Sequence, residues 1–336
     1  MALPPSLHGG FSGIAWVAEL LYGDPSAPPD EDPNTAVDAA LEQFLLRTPW
    51  RHSFDLIDGL VGMAVYALER LPRRKARRLL ELVVDRLEET AARRPPGIVW
   101  LYNPEWVPEA FRRSSSPELN LGVAHGMPGV IAVLGRIATA AVSDRTQARA
   151  RSLLEQAVPW LLAQELPPSA PGRFAGAAVE GVSFTTPARL GWCYGDAGIA
   201  ATLLVAARAV HEPTWESTAV RIAHAAAIRA EAHTKVVDAG ICHGAAGLGH
   251  VFHRLSLGTH EPRFAAASRA WFARALSMRV PRGGFGGFVA LVPGHTAKLA
   301  WRPDPGFLTG AAGIALALVA ATTGADPVWD RALLLS

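Results

Sequence analysis

The chain has two cysteines, and they stand in matching frames. Cys193 lies in "GWCYGDAGIA" (191–200) and Cys242 in "ICHGAAGLGH" (241–250), each two residues before a Gly-x-x-Gly. His243 follows Cys242 directly. Two thiolates and one imidazole are a donor set that holds Zn2+ and leaves a coordination position for a substrate. Such a centre carries no net charge, and a third thiol bound there loses its proton yet stays nucleophilic. The competing reading makes both cysteines small core hydrophobes and His243 a helix cap. The shared register and the adjacent histidine favour the metal.

His125 precedes Gly126 as His243 precedes Gly244. It fits a general acid or base facing the metal, or a satisfied histidine at a helix start. Asp55 and Arg189 lie four residues before Gly59 and Cys193. They fit a charge pair orienting the site or a structural salt bridge. Asp58 and Asp196 read as helix-start carboxylates or site groups. His250 and His253 read as packing or surface residues.

Bringing such distant residues together requires a repeat. Gly-x-x-Gly recurs six times, with first glycines at Gly10, Gly59, Gly126, Gly195, Gly244 and Gly310. Each motif opens a mostly apolar helical segment. Amphipathic, charged segments intervene at 37–47, 73–93, 146–164, 214–234 and 262–279. Each unit therefore pairs a buried inner helix with a half-exposed outer helix, and six units close into an all-α, α/α toroid occupying 1–336 as one domain. Parallel inner helices gather all six glycine turns at one mouth. The first glycine is expected to allow a tight turn, with positive φ open to it, and the second a close helix packing. No outer helix precedes Gly10; the C-terminal "PVWDRALLLS" is one candidate to replace it, and a partner is another.

Half the residues are apolar and 18% charged, which indicates a folded globular chain. The balance of 32 cationic against 30 anionic side chains gives no reason to expect nucleic acid as a partner. The basic run Arg73–Arg78 adjoins an amphipathic stretch and reads as a solvated helix start, with a leader-peptide contact as the lesser reading. The apolar stretch 306–325 is long enough to suggest a membrane span, but its Gly-x-x-Gly makes it another buried helix. With no transmembrane segment, no secretory signal and too few cysteines for a disulfide framework, the cytoplasm is expected.

The segments "RLGWCYGDAGIA", "ICHGAAGLGHVFHRL", "AHGMPGV" and "FDLIDGLVG" resemble the lanthionine synthetase C-like family, the lanthipeptide cyclases, and the likeness extends over nearly the whole chain. The resemblance implies an α/α toroid with zinc on Cys193, Cys242 and His243. It implies thioether formation, in which a peptide cysteine adds to dehydroalanine or dehydrobutyrine of a dehydrated precursor peptide. It also implies His125 as the acid/base residue, with Tyr194, Asp55 and Arg189 as further site groups. A separate dehydratase is expected to prepare the substrate. Other readings are a relative that adds glutathione to dehydroamino acids, a scaffold that only binds the precursor, and a glycosidase drafting Asp55, Asp58 and Asp196. The last leaves the thiols without purpose. Two Gly/Pro/aromatic stretches, 165–188 and 280–305, break the helical pattern ahead of mouth motifs, as does the linker 98–111. They are expected to be loops or short hairpins beside the site, contacting peptide or packing over the outer ring.

Overall fold

A computed structural model of the chain describes residues 3–28, 30–106, 109, 118–178, 186–293 and 298–336. The rest of the linker and loop stretches, at 107–108, 110–117, 179–185 and 294–297, lies outside the described residues. Eleven α-helices alternate between two rings among the described residues. The inner ring comprises α1 (Phe11–Tyr22), α3 (Leu60–Glu69), α5 (Met127–Ile137), α7 (Asp196–Ala209), α9 (Ala245–Thr259) and α11 (Ala311–Thr323). The outer ring comprises α2 (Thr35–Leu45), α4 (Arg74–Thr90), α6 (Asp144–Leu162), α8 (Pro213–Ala227) and α10 (Pro262–Ser277). The protein is an α/α toroid. Inner helices α5 and α7 are buried along nearly their whole length, which is why their sequences carry no polar face. Outer α4 buries Leu79, Leu80, Val83, Val84 and Leu87 on one side only.

All six inner helices take the first glycine of their motif as N-cap. A belt of backbone hydrogen bonds joins the turns around the mouth. His8 N donates to Ile57 O (3.2 Å), Leu56 N to Ala124 O (3.1 Å) and Ala124 N to Cys193 O (3.5 Å). The belt continues from Cys193 N to Cys242 O (3.0 Å) and from Cys242 N to Leu308 O (2.7 Å). The inner helices therefore start at one end of the ring, and both thiol-bearing residues are links of the belt.

The glycines work differently from the expectation. Only Gly195 among the six N-caps has a left-handed backbone, at φ +90°. The second glycines make room for the incoming loop, not chiefly for a neighbouring helix. A Cβ at each would overlap the carbonyl oxygen six residues earlier, and even the mildest cases, Gly62 and Gly129, leave 2.5 Å. At Gly198 that oxygen belongs to Trp192, the residue before Cys193.

The C-terminal segment does not supply an outer helix. It forms a 3-10 helix, Val328–Leu333, on the axis of the inner ring. Leu333 O accepts from Trp192 Nε1 (2.8 Å), Asp330 binds His250 Nε2 (2.8 Å), Arg331 binds Glu69 (2.7 Å), and Trp329 packs edge-on to Phe307. Leu334 faces Gly129. The segment thus plugs the ring and ties units 2 to 6 together, while Ala332 O lies 3.4 Å from His8 Nε2 of unit 1. His250 is a buried packing residue, as expected. Between α11 and α1 no described helix covers the wall, and Ile14, Val17, Leu21, Leu316 and Val319 are exposed there.

Among the described residues three two-stranded antiparallel pairs interrupt the helices: β1 (Ala92–Arg94) with β2 (Gly97–Val99), β3 (Leu119–Asn120) with β4 (Ala177–Ala178), and β5 (Ala290–Pro293) with β6 (Leu299–Arg302). Within the basic run, Arg73 turns inward to Glu19 and Lys75 pairs with Glu42, so part of the run is neutralised locally. The adjoining Arg70 is wholly buried and binds Glu19, Asp32 and Asp38, clasping α1, α2 and α3 together. Among the described residues no helix is long and apolar enough to cross a membrane.

Candidate active site

Turns four and five bring Cys193, Cys242 and His243 together at the mouth, with their donor atoms all within 4.8 Å of one another. Cys193 is buried; Cys242 and His243 are half-buried. The close approach rests partly on Gly191, where a Cβ would stand 3.1 Å from His243 Cα. The Cys242 thiol hydrogen-bonds Cys193 and, against the penalty of burial, pulls the Cys193 thiol down to about 5; His243 adds to this. Cys242 is pushed up by the neighbouring Cys193 thiolate and by burial. The two thiols are thus driven in opposite directions by their mutual contact. Soft sulfur donors with an imidazole fit Zn2+.

One neighbour of this cluster was not singled out in the sequence. Asp238 is buried, accepts Gly240 N–H at Oδ1 (3.1 Å), and places Oδ2 3.9 Å from His243 Nε2. At that distance the carboxylate faces the imidazole without a hydrogen bond. Its only signal was position, since Asp238 precedes Cys242 by four residues as Arg189 precedes Cys193.

Across the mouth, His125 Nδ1 meets Asp55 Oδ2 at 2.6 Å. Asp55 is buried, and its Oδ1 accepts Asp58 N–H at 2.8 Å. Burial alone would lower the His125 pKa, but the hydrogen bond and charge of Asp55, with Asp58 and Cys193, raise it above the ordinary histidine value. Asp58 is raised by burial and by Asp55. The partner of Asp55 is thus His125 and not Arg189. Arg189 forms no ion pair with Asp55 among the described residues; its charge assists the lowering of Cys193 and only partly opposes the rise of Cys242.

Tyr194 receives a hydrogen bond from Asn120 Nδ2 at its hydroxyl (2.8 Å), and Asn120 Oδ1 accepts Gly122 N–H (2.8 Å). Asn120, on β3, was not foreseen. Neither was Tyr102, whose ring meets His125 edge-on at 5.7 Å and whose hydroxyl is pushed up by burial and by Asp55. Its only signal was the aromatic character of the linker 98–111. His8 completes the circle. Burial draws its pKa down to about 4, and it feels both Asp55 and His125. Asp196 is not at the reacting face. It is buried at the start of α7, where its carboxylate accepts Arg173 N–H (2.9 Å) and Phe174 N–H (3.0 Å), anchoring the loop that leads to Arg189. A paired-carboxylate site is thereby reduced to Asp55 and Asp58.

A family model described as "Lanthionine synthetase C-like protein" matches residues 4–334. No curated protein matches the sequence. Among solved structures, one titled "Nisin cyclase" superposes with a TM-score of 0.77 at 20% identity, covering 99% of this chain and 81% of that one. A second, "Crystal structure of sugar epimerase from ruminal bacterium", has a TM-score of 0.53 at 11% identity, covering 94% of this chain and 87% of that one. At these identities both likenesses concern the fold.

Proposed function

Because the chain belongs to the lanthionine synthetase C-like family, we propose that it is a lanthipeptide cyclase that closes thioether rings in a dehydrated precursor peptide. The observation that carries the reading is the cluster of Cys193, Cys242 and His243 at the same mouth as the His125–Asp55 pair. In this reading Cys193, Cys242 and His243 would hold Zn2+, which would supply the Lewis acidity that makes a substrate thiol easier to deprotonate. Arg189 and the helix N-termini around the mouth favour negative charge there.

The reaction adds the peptide cysteine S–H across the C=C bond of dehydroalanine or dehydrobutyrine. Sulfur forms a bond to the β-carbon, the π electrons move toward the carbonyl, and a proton is returned to the α-carbon. His125 is suited to that return. Asp55 occupies Nδ1, which leaves Nε2 as the position to exchange protons at the mouth, and the raised pKa favours the protonated ring. Asn120 holds the Tyr194 hydroxyl at the same rim, where it can orient the substrate carbonyl. The dehydroamino acids must come from a dehydration that precedes this step, and a reducing cytoplasm suits paired free thiols.

The test is incubation of the zinc-loaded protein with a peptide carrying dehydroalanine and cysteine, followed by thiol alkylation and mass spectrometry. Cyclisation conserves mass and protects the thiol from alkylation. Protection no faster than in protein-free buffer would refute the reading. Addition of one glutathione from a glutathione-containing mixture would move it to intermolecular thiol addition.

A further inference from the structure

The β5–β6 hairpin carries an open edge that the helical ring does not need. Leu291 N–H is given to Asp238 Oδ2 (3.4 Å), outside the hairpin, and Leu291 pairs with Trp301. In an antiparallel pair, residues whose N–H points outward face partners whose backbone groups also point outward. Trp301 is therefore turned toward the free edge of β6, and Leu299, two residues earlier, shares its parity. Pro293, the partner of Leu299, has no N–H and tolerates that position. The sheet has two strands, and no other strand pairs with β6 among the described residues.

The side chains at this edge are apolar and exposed. Trp301 is 54% exposed and Leu299 63%. Trp301 also lines a cavity of about 350 Å³ with Val237, Val280, Phe288 and Asp238. Apart from buried Asp238, the charges of this segment have one sign. From 278 to 303 the charged residues are Arg279, Arg282, Lys298 and Arg302, all exposed. Asp304, the first carboxylate after them, turns back to cap Gly306 N–H (2.7 Å).

The hairpin is also joined to the mouth at both strands. Asp238 links β5 to His243, and the chain leaving β6 reaches Leu308, whose carbonyl accepts Cys242 N–H (2.7 Å). We propose that β6 binds an extended, acidic segment of the peptide substrate as a third strand, with apolar residues at alternate positions packing on Leu299 and Trp301. Backbone bonding to an edge strand supplies affinity, and alternate side chains supply selectivity. The cationic rim selects acidic residues and disfavours a second copy, because antiparallel self-pairing would set Lys298 and Arg302 of one β6 near those of the other. The inference rests on the peptide-substrate reading, but its test does not use turnover.

The probes are two fluorescein-labelled, cysteine-free dodecapeptides, one alternating Val with Glu and one alternating Val with Lys, followed by fluorescence anisotropy on the full zinc-loaded chain. The Glu peptide is expected to bind, to weaken as salt rises, and to bind the chelator-treated protein equally well. Trp301→Ser should weaken it roughly tenfold or more, as loss of an aromatic anchor does. Leu299→Pro removes the outward N–H at a parity the hairpin itself does not use, so it should weaken binding while zinc content and helical signal stay unchanged. Equal binding of the Lys peptide, no binding of the Glu peptide, wild-type affinity in both variants, or loss of binding on chelation would each overturn the proposal. Absence of thioether formation by the same preparation would count against the cyclase reading alone.

Discussion

Replacing Asp55 by Asn keeps the shape of the side chain that holds His125 and removes its charge. The 2.6 Å contact joins a buried carboxylate to a mostly buried imidazole, so it is a charge-assisted hydrogen bond. Such bonds contribute about 1.5–3 kcal/mol. Since about 1.4 kcal/mol is a factor of ten, protonation of His125 should become roughly 10- to 100-fold less favourable. Single-turnover cyclisation near neutral pH should slow by roughly the same factor. His125→Asn deletes the proton carrier itself and should cost more, roughly 10²–10⁴-fold, the usual worth of general acid–base catalysis. The assay pairs zinc stoichiometry with single-turnover thioether formation, and adds an NMR pH titration of the His125 ring. The His125 pKa is raised in the folded protein. The pair's contribution to stability is therefore complete below the pH at which a free histidine titrates and is lost as pH rises through the higher folded-state value. That pH dependence should disappear in Asp55→Asn. If His125 titrates unchanged in Asp55→Asn, or if His125→Asn cyclises at the wild-type rate with full zinc, His125 is not the proton donor; loss of zinc in either variant would make it a support of the metal site.

Elemental analysis should find about one zinc per chain, and Cys193→Ala or Cys242→Ala should lose both metal and cyclisation while helical circular dichroism persists. Gly198→Val should lower the melting temperature and also weaken zinc binding, because the new side chain meets the Trp192 carbonyl and displaces Cys193; unchanged zinc affinity would refute that coupling. Arg70→Ala leaves Glu19, Asp32 and Asp38 without their shared cation and should cost about 3–5 kcal/mol in denaturant unfolding, the usual cost of breaking a buried pair. Trp192→Phe orphans Leu333 O beneath the site and should cost about 1–3 kcal/mol, measured the same way.

The repeat was legible because its cause is local. Each Gly-x-x-Gly starts a helix whose first turns pass under an incoming loop, and a Cβ at the second glycine would strike that loop's carbonyl. This steric demand recurs in every unit, so it leaves a mark at every unit. The alternation of inner and outer helices was legible for a similar reason, since outer helices such as α4 divide apolar from charged residues at helical spacing. The juxtaposition of Cys193, Cys242 and His243 then followed from register alone, once parallel inner helices were inferred.

What the repeat could not carry lay in segments that break it. Asn120 and Tyr102 come from a two-residue strand and a linker, and nothing periodic marks them. The choice of His125 over Arg189 as partner of Asp55 depends on side-chain reach across turns two, three and four. The C-terminal residues could be counted in the sequence but not placed. Their apolar run suits an outer wall and a plug equally, and only the ring's interior, with Trp192, His250 and Glu69 offering polar partners there, selects the plug. Thus the sequence by itself determined the ring, the mouth and the shared register of Cys193, Cys242 and His243, because those follow from short-range sterics and helical period. Tertiary structure alone decided which charges pair, what fills the axis and which edge stays open, because those depend on contacts between residues tens to hundreds of positions apart.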